Sequence, residues 1–229
     1  MRELVVDTET TGLDPAQGHR VVEVACVELM NHIPTGRSFQ TYLNPCRDMP
    51  PEAFDIHGLS AEFLADKPEF GAIAGQLLEF ISDDLLIMHN AEFDLKFINA
   101  ELALVGRPAL PFMRVVDTVG MARRRFPGAP ASLDALCKRF SIDNTQREKH
   151  GALLDAALLA QVYIELIGGR QPGLELAASN AAASSQAAIA GSLARRQARQ
   201  LRPPHAPTAQ EAAAHEAFVA GLADAIWRK

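Results

Sequence analysis

Residues 151–167, GALLDAALLAQVYIELI, restrict the fold more than any other stretch of the chain. The run reads as a long helix stopped by Gly168 and Gly169. A helix this apolar is buried on most of its surface. Asp155 sits within it, among apolar side chains. A carboxylate buried in that way needs a partner or a metal.

The stretches before it supply the sheet that such a helix requires. ELVVD at 3–7 is a short apolar run rich in β-branched residues and reads as a strand. VVEVACVEL at 21–29 and GRSFQTYL at 36–43 follow, with a turn expected around 31–36, so the first three strands predict an antiparallel meander. The proline-rich segment 45–68 is expected to be loop. Residues 71–82 predict a helix with Ile73, Leu77, Leu78 and Ile81 on one side, and LLIMH at 85–89 a buried strand. A helix over 91–105 turns Phe93, Phe97, Ile98 and Leu102 inward, VVDT at 115–118 is a short strand, and Ser132 caps a helix over 132–140. The fold class is therefore α/β, a mixed sheet with flanking helices, over residues 1–169.

The character changes beyond Gly169. Residues 177–200 are mostly Ala, Ser, Gln and Arg, followed by LRPPHAPT, with too few large apolar residues for a core, and 170–207 is expected to form a flexible linker. At 208–229 a helix signal returns: Thr208 and Glu211 make a capping box, and Phe218, Leu222, Ile226 and Trp227 form an apolar stripe. A lone amphipathic helix has nothing of its own to bury against, so it folds back or docks on a partner.

Charge and cysteine content narrow the setting. The net charge is −6, a poor footprint for a protein that grips nucleic acid alone. It is uneven, +3 over residues 170–229 and −9 over the rest, so an acidic domain engages DNA only where metal ions offset its carboxylates or a partner holds the strand. Cys26, Cys46 and Cys137 are scattered and form no CxxC pair, which suggests neither a zinc site nor disulfides and points to a reducing, cytoplasmic setting. No run of eighteen apolar residues and no signal pattern occurs, so no membrane association is expected.

Three groups of residues carry chemistry. Asp7 and Glu9 lie two apart at the end of a strand and leave it on the same face. Two such carboxylates repel unless a cation lies between them. Asp94 falls in the first turns of the helix that follows His89 and Asn90. His150 and Asp155 are five apart, about 140° on an ideal helix, so they meet only if His150 is on the preceding loop. Taken singly, each has a plain structural reading as a turn, a helix-dipole or a loop residue. Together they make four carboxylates and one histidine without a thiol, a hard donor set that selects Mg²⁺ or Mn²⁺. Two such ions about 3.5–4 Å apart are a recurring device for phosphodiester cleavage. Arg123–Arg125 reads as a solvated helix end.

DTETTG at 7–12, HNAEFD at 89–94 and HGALLD at 150–155 resemble the three motifs of the DEDDh exonuclease superfamily, in its histidine branch. PEAFDIHG at 51–58, SLDALCKRFSIDN at 132–144 and the final HEA…WRK are similar to the proofreading subunits of bacterial DNA polymerase III. The resemblance implies a ribonuclease-H-like fold and a 3′–5′ exonuclease acting on DNA 3′ ends with two divalent ions. It implies that Asp7, Glu9 and Asp155 bind the first ion and the substrate end, that Asp7 bridges to the second with Asp94 supporting, and that His150 is the general base. Glu52 and His57 match positions that line the substrate site. The tail is expected to dock on the polymerase catalytic (alpha) subunit through Phe218, Leu222, Ile226 and Trp227. Gln171, Leu174 and Leu176 resemble the short Gln-x-x-Leu-x-(Leu/Phe) peptides that bind the bacterial sliding clamp. An RNA-trimming relative, and a scaffold with a dead nuclease fold, are the alternatives; the second lacks support because all five residues are present.

Overall fold

The structure, a computed structural model, describes residues 1–147, 149–168 and 207–221. Strands β1 (Arg2–Thr10), β2 (Val21–Met30) and β3 (Ile33–Tyr42) form the expected antiparallel meander. The hairpin between β2 and β3 turns on Asn31 and His32 alone, with φ of 50° and 65°. Two successive left-handed residues match the twist of the paired strands. The turn is therefore shorter than the expected 31–36, and β3 begins three residues earlier. Strands β4 (Leu85–Met88) and β5 (Val115–Asp117) add in parallel on the other side of β1, giving the order β3-β2-β1-β4-β5.

The segment 45–68 is not wholly loop. It holds helices α1 (Pro51–His57) and α2 (Ala61–Leu64). Pro51 at the first helical position is preorganised for a helix start, and the Ser60 hydroxyl accepts from the Phe63 N–H at 3.1 Å. Helices α3 (Phe70–Ile81) and α4 (Ala91–Leu104) follow as expected. Helix α5 (Thr118–Arg125) was not legible in the sequence; the Asp117 carboxylate starts it by accepting from the Val119 and Gly120 N–H groups. Helices α6 (Leu133–Phe140) and α7 (Ala152–Leu166) complete the domain, and the Ser132 cap is as expected. Arg125, exposed as expected, also donates to the Glu165 and Leu166 carbonyls at the C-terminus of α7. Arg123 and Arg124 are exposed.

The alternation of side chains along β1 divides the core in two. Leu4 and Val6 face α3 and α4, packing with Phe70, Leu77, Phe97 and Leu102. Val5 faces the other way, with Leu136, Leu159 and Val162 of α6 and α7. Each fully buried leucine contributes about 1.5–3 kcal/mol by leaving water. By the same alternation Glu3, Asp7 and Glu9 share the α7 face, and Thr8 faces α4. The Tyr163 hydroxyl donates to Glu3 at 2.7 Å, so α7 runs antiparallel to β1 and brings its first turns toward Asp7 and Glu9. A register shift between Glu9 and Thr10 breaks the ladder just past the acidic pair.

Helix α8 (Ala209–Ala220) forms behind the expected capping box of Thr208 and Glu211, and Phe218 on it is 67% exposed. Gln171, Leu174, Leu176, Leu222, Ile226 and Trp227, with the linker through 206, lie outside the described residues. No helix among the described residues is long and apolar enough to cross a membrane.

Candidate active site

Each carboxylate reaches the site by a local rule of its element. Asp7 and Glu9 emerge from β1 on the α7 face. Asp94 lies in the first turn of α4, whose start is fixed by Asp117 accepting from the Asn90 and Ala91 N–H groups. Thr8, on the opposite face from Asp7, holds Asp94 by donating from its backbone N–H at 3.0 Å and its hydroxyl at 2.7 Å. Asp155 lies in the first turn of α7, and His150 is on the loop before it, as their spacing required. The His150 N–H donates to the Ile56 carbonyl at 3.2 Å, tying that loop to α1.

Asp7, Glu9, Asp94, His150 and Asp155 line one cleft of about 320 Å³. One donor atom from each of Glu9, His150 and Asp155 falls within 4.8 Å of the others. The electrostatics suit a cation. Burial, and then the neighbouring Asp94, Glu9, Asp155 and Glu23, hold the Asp7 carboxyl well above the usual carboxylate range. Burial pushes Glu9 up to about 8, with Asp155, Glu23 and Asp94 adding to it and Arg147 opposing. Burial raises Asp94 to about 7 against the hydrogen bonds from Thr8. Carboxylates crowded in this way ionise together only when positive charge is supplied. The donor set of carboxylate oxygens and one imidazole, with no thiol in the cleft, fits a hard divalent ion.

Glu52 and His57 are not in that cleft. They line a neighbouring hollow of about 470 Å³ that shares Thr8, Glu9 and Phe93 with it. His57 is buried, and its Nδ1 accepts from the Leu59 N–H at 3.0 Å. Burial lowers its pKa against an opposing contact with the Thr10 backbone, so the ring is neutral and carries its proton on Nε2, a buried donor without a well-aligned hydrogen-bond partner among the described residues.

Sequence reasoning missed three participants. Glu23 is an inward carboxylate in an apolar strand, the signal that singled out Asp155; it accepts from the Ala152 N–H at 3.1 Å and supplies the cap that α7 lacks from its own residues. Thr8 shows nothing beyond its place between Asp7 and Glu9. Arg147 sits in a polar segment, NTQREK, where a cation reads as solvated.

The exonuclease family model (RNase_T) matches residues 4–163. The DNA polymerase III subunit epsilon of Rickettsia conorii is 49% identical over 225 residues, covering 97% of this chain and 96% of its own length. That of Escherichia coli K12 is 42% identical over 224 residues, covering 94% and 91%. The chain belongs to the exonuclease family, together with the epsilon subunits of DNA polymerase III. This family is divalent-metal dependent. Among solved structures, Exonuclease X in complex with 5′ overhanging duplex DNA is 26% identical, with a TM-score of 0.57 over 72% of this chain and 90% of that one. The nuclease domain of 3′hExo, a DEDDh family member bound to rAMP, shares the fold at 17% identity and a TM-score of 0.63, over 72% of this chain and 91% of that one.

Proposed function

We propose that this 3′–5′ exonuclease removes mismatched nucleotides from DNA 3′ ends as the proofreading subunit of a bacterial DNA polymerase III, in the cytoplasm, with two divalent ions, Mg²⁺ or Mn²⁺. The observation that supports this most is the meeting of Asp7, Glu9, Asp94, His150 and Asp155, from four separate segments, in one cleft beside a second hollow.

Asp7, Glu9 and Asp155 are the residues to hold the first ion, and Asp7, supported by Asp94, the second. When bound, the ions supply charge stabilisation to the attacking and leaving oxygens. His150, with a side chain 49% exposed at the cleft, takes the proton of the attacking water. Glu52 and His57 seat the terminal nucleotide, with the His57 Nε2–H donating to it. Glu9, on the wall shared by hollow and cleft, sets the nucleotide against the ions.

Residues 208–229 dock on the alpha subunit; the apolar stripe of Phe218, Leu222, Ile226 and Trp227 in the sequence supports this. Gln171, Leu174 and Leu176 bind the sliding clamp. Digestion of 5′-labelled single-stranded DNA and RNA of one sequence, with Mg²⁺ or chelator, tests the activity. Stepwise loss of DNA 3′ ends only with metal is expected. Faster loss of RNA ends favours the RNA-trimming reading, and no loss of either favours the scaffold.

A further inference from the structure

Among the residues lining the metal cleft, Arg147 is the one lysine or arginine, and its side chain is only 7% exposed. Its Nε donates to Asp155 Oδ1 at 2.6 Å and its Nη2 to Asp155 Oδ2 at 2.7 Å, a bidentate fork on both carboxylate oxygens. Nη2 also donates to His150 Nδ1 at 2.9 Å. A guanidinium has no acceptor, so this imidazole nitrogen must be the acceptor, and a neutral ring then carries its proton on Nε2. Arg147 therefore engages both oxygens of one expected metal ligand and the lone pair of the expected base.

We propose that Arg147 is a built-in counter-ion that competes with the divalent metal for Asp155 and meanwhile occupies the lone pair that His150 needs as a base. A cation held between Glu9, His150 and Asp155 draws on the same carboxylate that Arg147 grips, and two positive charges at one carboxylate repel. Asp134 gives the arginine somewhere to go. It accepts from Arg147 Nη1 at 2.7 Å, and its own side chain is 60% exposed at the rim. A guanidinium that swings outward keeps this pair while releasing Asp155 and His150 together. Metal binding and the freeing of the base thus become one event, and Arg147 sets the metal concentration at which it occurs. The inference rests on the nuclease reading of the cleft.

The test is calorimetric titration of the full chain with Mn²⁺ in the absence of DNA, for the wild type, Arg147→Met, Arg147→Gln and Asp155→Asn. Loss of one adjacent unit charge is expected to tighten Mn²⁺ binding roughly tenfold in both arginine variants. The melting midpoint of each in chelator is expected to fall, and to rise on adding Mn²⁺ by more than the wild type's does. A purely structural role predicts the opposite for affinity, since a disordered loop binds metal more weakly. Unchanged or weaker binding in the arginine variants overturns the inference. Arg147→Gln keeps an amide donor to Asp155 and decides the matter if Arg147→Met does not fold. If the wild type shows no Mn²⁺ binding that Asp155→Asn abolishes, the metal reading of the cleft fails instead.

Discussion

Glu9 on β1 and Glu23 on β2 stand directly opposite each other in the antiparallel ladder, and both are buried. Like charges in that position destabilise a sheet. Glu23 is anchored by the Ala152 N–H and by the Gln40 amide, which donates at 2.7 Å. Among the described residues Glu9 makes no comparable bond, so the repulsion falls on it. The pair ties the start of α7 to the sheet and at the same time prepares Glu9 to welcome a cation.

This arrangement predicts how stability depends on pH. The Glu9 carboxyl sits at about 8 in the fold against an ordinary 4.5, because of burial and then its carboxylate neighbours. Between those values the folded chain holds a proton that the unfolded chain has released, so stability falls as pH rises. Melting midpoints in chelator are expected to decline from about pH 5 to about pH 8. Glu23→Gln removes one repelling charge, keeps an acceptor for the Ala152 N–H, and should flatten the decline. Added divalent metal should flatten it in the wild type. A midpoint that rises across this window for the wild type in chelator contradicts the account.

Asp7 and Asp155 should part company in stability while agreeing in activity. Asp7→Asn removes a buried carboxylate on which Asp94, Glu9, Asp155 and Glu23 all act repulsively, so the chelated protein should melt higher. Asp155→Asn breaks the fork from a nearly buried Arg147 and should lower the chelated melt, by less than the loss of a buried pair without a second partner, because Asp134 still accepts from Arg147. Both variants should lose exonuclease activity. Chelated melts that move in the same direction would show that Arg147 does not hold Asp155 in solution.

His150→Gln should slow DNA digestion by roughly 10²–10⁴-fold, the weight of general-base catalysis. Calorimetry should find Mn²⁺ still bound within a few-fold of the wild type, since the carboxylates remain. An unchanged rate removes His150 from the proton transfer.

Much of this site was legible because its residues break the pattern of the elements that carry them. Asp155 interrupts an apolar helix, and Asp7 and Glu9 end an apolar strand. Five-residue spacing lets His150 meet Asp155 only from a loop ahead of the helix, which is where His150 lies. Arg147 was not legible, because a cation in a polar loop is indistinguishable from a solvated one until the loop folds over Asp155. Helices α1, α2 and α5 were missed for related reasons. Prolines disguised the first two, and the third is started by Asp117, which also fixes the start of α4. The short hairpin turn was missed because Asn31 and His32 adopt left-handed backbone where Gly36 seemed the natural candidate.

His57 offers a test of substrate seating that is independent of the metals. Its Nε2–H is buried without a well-aligned partner among the described residues, beside the hollow that Glu52 also lines. A ligand that accepts from it gains a bond with little competition from water. His57→Phe keeps an aromatic ring and removes the Nε2 donor, together with the Nδ1 acceptor of the Leu59 N–H. KM for single-stranded DNA is expected to rise roughly tenfold, as for loss of a hydrogen bond to a charged group, with kcat changed less. If KM and kcat both stay at wild-type values, His57 is only a packing residue.

The last prediction separates the chemistry from its address. Every residue assigned to the cleft and hollow lies within 1–168, and the two hydrophobic clusters of that segment are built from its own residues. Residues 1–168 alone should therefore fold and digest free single strands at close to the full-chain rate. They should not co-purify with the alpha subunit, because Phe218 and the rest of the expected docking stripe are gone. A flexible tether raises the local concentration of the nuclease at the primer end without any new contact at the cleft. Removal should thus weaken digestion of mismatched primers in the presence of polymerase far more than digestion of free strands. Restoring residues 208–229 without 171–176 should recover alpha binding but not clamp binding. Full alpha binding by residues 1–168 would place the docking surface on the nuclease domain and overturn the assignment to the tail.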